Sequence, residues 1–467
     1  MCCAFYINTS NIIKEKEKRK TMKKKVLSSL LAASMVACLF AGCSSTASSS
    51  NSSSSGNNTQ ETTAGNNGEE ATKPSVDDYG SGEIVIWAPE AAVEFTKKAA
   101  EDFIAANEAY KGYTIRVEPV SEADAANNAI ADIEAAADIY SFAQDQLSRI
   151  VSAGALTPLS GAYADFVTKS NTEGAVISAQ LGGQTYAFPV TADNGYFIYY
   201  DNTVITNPNS LEQIIADCEK AGKSIYFEVN NGWYQPAFFF GTGCTLTYDT
   251  NDEGGFTKCN IDYNSEAGLV ALKEMIDLTS SPAFVNGSST DNATNAAVVV
   301  TGAWNKESAT KKFVDADGNS VLGVAKLPEF EGSDGKTYQL SGFSGFKLMG
   351  VKPQAEKGKS IVCLELAEYL TSEEMQLARF NELGWGPSNL KALENEAVQS
   401  DATLAALGEQ SLHSIPQGQY PGDYWSRATA LGDECITKNL TPSTSDEDLM
   451  KILAQFQSDC ESYATAK

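Results

Sequence analysis

A single histidine, His413, stands among 467 residues, and only 34 basic side chains face 60 acidic ones. With one imidazole, a zinc site would have to rest on cysteines. The six cysteines beyond the N-terminal region are Cys218, Cys244, Cys259, Cys363, Cys435 and Cys460, and they contain no C-x-x-C pair. Metal-ligand spacing is therefore absent, and no cofactor is called for. Neither a Ser nucleophile elbow nor a phosphate-binding glycine loop occurs, which removes the readable signatures of acyl and phosphoryl transfer. The shortage of positive charge excludes another class. Setting aside residues 1–42, which carry 8 of the basic and 2 of the acidic side chains, leaves 26 against 58 and a net charge near −32. Such a surface repels nucleic acid and anionic lipid alike.

A long hydrophobic run is also missing at the start. Met22-Lys23-Lys24-Lys25 leads into the apolar stretch Val26–Phe40, some 15 residues, followed by Ala41-Gly42-Cys43. A spanning helix needs about 20. A basic segment, a short apolar core and small residues before a cysteine form a secretory signal of the lipoprotein kind. The expectation is that residues 22–43 are the signal and that Cys43 becomes the lipid-modified N-terminus. The chain would then be tethered to the extracellular face of a bacterial membrane. Met1–Thr21 adds nothing to this signal, and Met1 and Met22 both remain open as the start. Residues 44–82 are almost wholly Ser, Asn, Thr, Gly and acidic residues, so they cannot bury enough apolar surface to order. As a coil of about 40 residues they would reach roughly 35 Å.

Glu83 to Lys467, some 385 residues, exceeds what one hydrophobic core serves and suits two domains. Cys244 and Cys259 bracket the turn signal Asp249-Thr250-Asn251-Asp252-Glu253-Gly254-Gly255, which predicts a hairpin. A Cys244–Cys259 bridge and two free thiols are both open. Cys363, within Ile361-Val362-Cys363-Leu364, reads as a buried small hydrophobe.

The pattern predicts strands at Ile84–Trp87, Tyr113–Val120 and Asp138–Phe142, with helices at Val93–Ala106 and Ala125–Ala137 between them. Strand, helix and strand at this pitch indicate a parallel sheet, an α/β fold, and a ligand site beyond the carboxyl ends of the strands. Aromatic and amide residues gather at such ends. Phe142-Ala143-Gln144-Asp145-Gln146 is one cluster, and Thr191-Ala192-Asp193-Asn194 precedes Tyr196-Phe197-Ile198-Tyr199-Tyr200. Asn230-Asn231-Gly232-Trp233-Tyr234, Gly302-Ala303-Trp304-Asn305 and Asp423-Tyr424-Trp425 follow. Sugar rings have apolar faces and a rim of hydroxyls, so a carbohydrate cleft needs flat aromatics beside Asp, Asn and Gln. A glycoside hydrolase is the rival reading. Its two carboxylates carry no weight in a chain with this many acids.

The order of these segments resembles the maltose and maltooligosaccharide-binding lipoproteins, the extracellular solute-binding proteins of sugar-import ABC transporters. The resemblance rests on Val85-Ile86-Trp87, Asp138-Ile139-Tyr140-Ser141-Phe142-Ala143-Gln144-Asp145 and Tyr186-Ala187-Phe188-Pro189 with Asp193. It continues through Gly302-Ala303-Trp304, Val324-Ala325-Lys326-Leu327-Pro328, and Ile415-Pro416-Gln417 with Trp425. It implies a periplasmic-binding-protein-like fold of two discontinuous α/β lobes, 83–192 with 327–371 and 193–326 with 372–467, joined by a three-strand hinge. It further implies stacking platforms at Phe142, Trp233, Trp304 and Trp425, and hydroxyl-binding groups at Gln144, Asp145 and Asp193. No catalysis is implied, only capture of an oligosaccharide by a monomer that delivers it to permease subunits. Another oligosaccharide or a polyamine is the alternative ligand. Three departures stand out: Phe142 where Trp is frequent, Pro89-Glu90-Ala91 where an Asp-Lys pair is usual, and Gln146 where Arg is common.

Overall fold

A computed structural model describes residues 79–464. The signal, the lipid site at Cys43 and nearly all of the 44–82 tether lie outside the described residues. The first sheet grows from the strand Gly82–Ala88, whose Ile84 and Ile86 are fully buried. It lies parallel to Tyr113–Pro119 on one side and to Ile139–Ala143 on the other. The intervening helix Val93–Ala106 buries Phe95, Ala99, Ala100 and Ile104 on one face. Phe343–Val351 runs antiparallel to Ile139–Ala143 and to Phe188–Gly195, and Ile415–Pro416 completes the sheet. The helix expected over Ala125–Ala137 stops at Ala131. The Asp132 carboxylate accepts the Ala135 N–H at 3.1 Å, a local bond that competes with helix continuation.

The second sheet has the order 284–285, 224–226, 296–301, 197–201, 322–325. Its central strand, Ala296–Thr301, is buried throughout, as a β-branched run covered on both faces requires. Helices Leu211–Ala221, Glu266–Ser280, Gly422–Ile436 and Asp446–Ser462 pack one face, and Ala402–Ser411 covers the other through Ala406 and Leu407. Each sheet thus has its own core. One cluster contains Ile84, Ile139, Phe188 and Leu348, and the other contains Phe227, Phe238, Tyr263 and Phe456.

Three neighbouring strands carry the chain between lobes: Phe188–Gly195, Phe343–Val351 and Ile415–Pro416. The return crossing falls later than residue 327. Leu327, Phe330, Leu340 and Phe343 pack on the second core, whereas Leu348 and Val351 pack on the first. The excursion is lengthened by a small hairpin, Glu329–Glu331 with Thr337–Gln339. Beyond 371 the chain also stays with the first lobe, since helix Glu373–Leu383 packs there through Met375.

The hairpin expected between Cys244 and Cys259 forms, as Leu246–Thr250 with Phe256–Ile261, but both cysteines are free. The register sets Cys259 opposite Tyr248, while Cys244 precedes the strand and has Thr242 and Ser265 as its polar neighbours. Burial pushes the Cys259 thiol up to about 11. Cys363 is buried, as its apolar surroundings predict.

Candidate functional site

A cavity of about 750 Å³ opens between the lobes, within the size range of small-ligand sites. From the first lobe, segments after three parallel strands reach it: Pro89 and Ala91 after the first, Glu122 and Asp124 after the second, and Asp145 and Gln146 after the third. From the second lobe come Asn231 and Trp233 after strand Ser224–Tyr226, Trp304 and Asn305 after Ala296–Thr301, and Trp425 near the start of helix Gly422–Ile436. Asn194, Lys347, Trp385 and Gln417, from the hinge region, close the floor. Four of the chain's five tryptophans line this one space.

Each indole is held by its surroundings. Trp233 stacks on Phe343 at 5.2 Å between centroids, and Asn231 Oδ1 accepts its backbone N–H at 2.9 Å. Trp425 lies edge-on to Tyr424 at 4.9 Å. Trp304 folds back over Gly302, where a Cβ would meet its ring at 2.1 Å, so only glycine leaves the ring in place. Trp385 follows Gly384, which caps helix Glu373–Leu383 in the left-handed conformation at φ 75°.

The polar groups are unevenly satisfied. Asp145 is almost wholly buried, and burial raises its carboxyl from an ordinary 3.8 to about 7. Its own backbone N–H, the Arg149 charge and the Gln417 amide act in the opposite direction. Lys347 Nζ lies 3.2 Å from Glu122 Oε2 and about 5 Å from two indoles, 5.1 Å above Trp304 and 4.8 Å above Trp385. Among the described residues no group of three His, Cys, Asp or Glu side chains could hold a metal ion, and no described helix is long and apolar enough to cross a membrane.

The sequence-derived candidates divide. Asp145, Trp233, Trp304 and Trp425 are brought together on the cavity wall. Phe142 is not, and its assignment as a platform is corrected: it is fully buried in the first core beside Tyr140, because Ile139–Ala143 is a central strand covered on both faces. Gln144 is turned to the hinge, where Oε1 accepts the Phe346 N–H at 2.7 Å and the amide donates to the Gln417 carbonyl. Asp193 also lies behind the wall. Its Oδ2 accepts the Gly386 N–H at 2.7 Å, which fixes the turn that carries Trp385. Glu122, Lys347 and Trp385 escaped the sequence reading. The signals were a lone lysine in an apolar strand and a tryptophan flanked by glycines in Gly384-Trp385-Gly386.

Known proteins share this architecture. A solved structure with acarbose is 28% identical, with TM-score 0.71, and the match covers 82% of this chain and 99% of that one. The maltodextrin-binding protein MalE1 from L. casei BL23, without ligand, is 22% identical with TM-score 0.66, covering 83% and 100%. The maltose-maltodextrin binding protein of Alicyclobacillus acidocaldarius is 18% identical with TM-score 0.64, covering 81% and 100%. No curated protein sequence matches the chain. The profile of the bacterial extracellular solute-binding proteins matches residues 91–406, well over half of the chain, which therefore belongs to that family.

Proposed function

We propose that the chain captures linear α-glucans of the maltooligosaccharide type in the interlobe cleft and delivers them to the permease of an ABC importer. The observation that carries the reading is the convergence of four tryptophans with carboxylate and amide groups on one cavity of about 750 Å³. Indoles supply flat apolar platforms for pyranose faces, and Asn194, Asn231, Asn305 and Gln417 supply both donors and acceptors for hydroxyls. The similarity at 28% identity to a structure with acarbose supports an oligosaccharide ligand. Closure of the lobes around the sugar is driven by the ligand's greater affinity for the closed form, and no bond is made or broken. The chain acts as a monomer held at the outer membrane face through a lipid on Cys43.

Calorimetry of the purified chain against maltose, maltotriose, longer glucans and unrelated oligosaccharides, with product analysis of each mixture, tests the reading. Binding of maltotriose with recovery of intact sugar is the expected result. Released shorter sugars would establish a hydrolase. Silence across the glucans with a response to spermidine would move the ligand to the polyamines.

A further inference from the structure

The least expected pair in the cleft is Lys347 with Glu122. Lys347 sits in the strand Phe343–Val351, otherwise mostly apolar, and Glu122 follows the strand Tyr113–Pro119. Their side chains are only 8% and 10% exposed, and both line the cavity. The backbone of Glu122 is fixed, since its carbonyl accepts the Ala143 N–H at 3.1 Å and the Gln146 amide at 2.7 Å. The ammonium is fixed too, by Glu122 Oε2 and by the faces of Trp304 and Trp385.

This pair is incomplete. An ammonium has three donors, and a carboxylate can accept more than one bond. Glu122 Oε1 is buried and has no hydrogen-bond partner among the described residues. A buried ion pair is tolerated when further hydrogen bonds satisfy its remaining donors and lone pairs. Here Oε1 has none, and the cavity that both side chains line is where a further partner for the pair would enter.

Resting on the reading of the cleft as a sugar site, we propose that Lys347 and Glu122 together read two adjacent hydroxyls of one pyranose ring. Lys347 donates to one hydroxyl oxygen, and the Glu122 carboxylate accepts the proton of its neighbour through Oε2, the oxygen beside Nζ. Neighbouring ring hydroxyls stand about one hydrogen-bond length apart, and so do Nζ and Oε2 at 3.2 Å. Hydrogen bonds to charged groups in a water-excluded site are the stronger kind. The same pair filters by charge. A uronic acid at this position meets Glu122, an amino sugar meets Lys347, and a neutral sugar with both hydroxyls free satisfies both.

Removing one partner would strand the other as a buried unpaired charge and endanger the fold. The test therefore uses Lys347→Met with Glu122→Leu, an apolar replacement of similar volume, beside the intact parent chain. Calorimetry with maltotriose and its monodeoxy derivatives is the measurement. Maltotriose should bind the double variant about 10- to 100-fold more weakly, as loss of charged hydrogen bonds predicts. At least one deoxy sugar that binds the parent poorly should bind the double variant as well as maltotriose does. If the double variant binds maltotriose like the parent, or every deoxy sugar loses the same factor in both proteins, the assignment fails while the sugar reading stands. If the parent binds no neutral sugar, both fail.

Discussion

The first lobe brings Glu122, Asp124, Asp145 and Gln146 to the cleft, and the second brings Trp233, Trp304 and Trp425. One wall is thus mainly hydrogen-bonding, and the other mainly aromatic. Stacking on an indole needs only a flat apolar face, so it tolerates sliding and rotation. Hydrogen bonds need donors and acceptors at set distances and angles. The division suits an order of events in which a sugar first settles on the second lobe and is then read by the first as the lobes close. Lys347 and Trp385, at the hinge, stand where the two chemistries meet.

The aromatic wall offers the largest expected effect. Trp304→Ala or Trp233→Ala should weaken glucan binding by about 1–3 kcal/mol, as for a desolvated aromatic anchor. Circular dichroism should show the fold intact. Gly302→Ala sharpens the test by leaving the indole in the chain. Its Cβ would fall 2.1 Å from the Trp304 ring, so the ring must leave its place and most of the same loss should follow. Full affinity in Gly302→Ala would mean that the position of Trp304 does not matter.

Next in size is a change that keeps the walls apart. The hairpin tip of the second lobe touches the first, where a Cβ on Gly254 would lie 2.2 Å from the Ser148 carbonyl oxygen. Gly254 also has φ +86°, which an L side chain rarely adopts. Gly254→Ala should weaken binding roughly tenfold, ~1.4 kcal/mol. Small-angle scattering of the sugar-bound variant should show a larger radius of gyration than the parent. An unchanged radius and affinity would show that the tips do not set the closed state.

On the polar wall, Asp145 should give a smaller effect centred on pH. Its carboxyl is held near 7 by burial, against an ordinary 3.8. Below about pH 4 the folded and unfolded chains both hold the proton. Between there and about 7 only the folded chain does, so stability falls as pH rises across that window. Sugar affinity should move the other way. An anionic carboxylate is the stronger acceptor, and maltotriose should bind roughly fivefold tighter, ~1 kcal/mol, above pH 7 than below it. Asp145→Asn should flatten both profiles. A parent affinity that is level from pH 5.5 to 8.5 would remove Asp145 from the hydroxyl-binding set.

Much of this was readable in the residues, for physical reasons. Ile84–Trp87 and Ala297–Thr301 are short β-branched runs whose burial on both faces forces a central strand. Trp233, Trp304 and Trp425 could be found because each follows a strand end or opens a helix, where side chains project into a cleft. The Glu122–Lys347 pair could not, since it joins residues far apart in the chain that only the fold brings together. Asp193 shows the converse. Its residue type fitted a hydroxyl ligand, yet the backbone N–H of Gly386 claims its carboxylate. No pattern along the chain reveals which acceptor a distant turn will use.

Phe142 carries the last prediction, in which affinity should not move at all. Sequence places it beside Asp145 at a strand end, the setting of a stacking platform. The fold places it one position too early, packed at 6.0 Å from Tyr140 and opposite Leu348 in the sheet. Phe142→Leu removes ring volume from a site with no solvent exposure. It should cost about 1–2 kcal/mol of stability, less than the 3–5 of a truncation to alanine because part of the volume is kept. Calorimetric affinity for maltotriose should stay within twofold of the parent while the melting temperature drops. The contrast with Trp304→Ala, where affinity falls, separates a ring that supports the wall from one that faces the sugar. A large loss of affinity in Phe142→Leu at unchanged melting temperature would restore Phe142 as a platform and require the first lobe to contribute stacking after all.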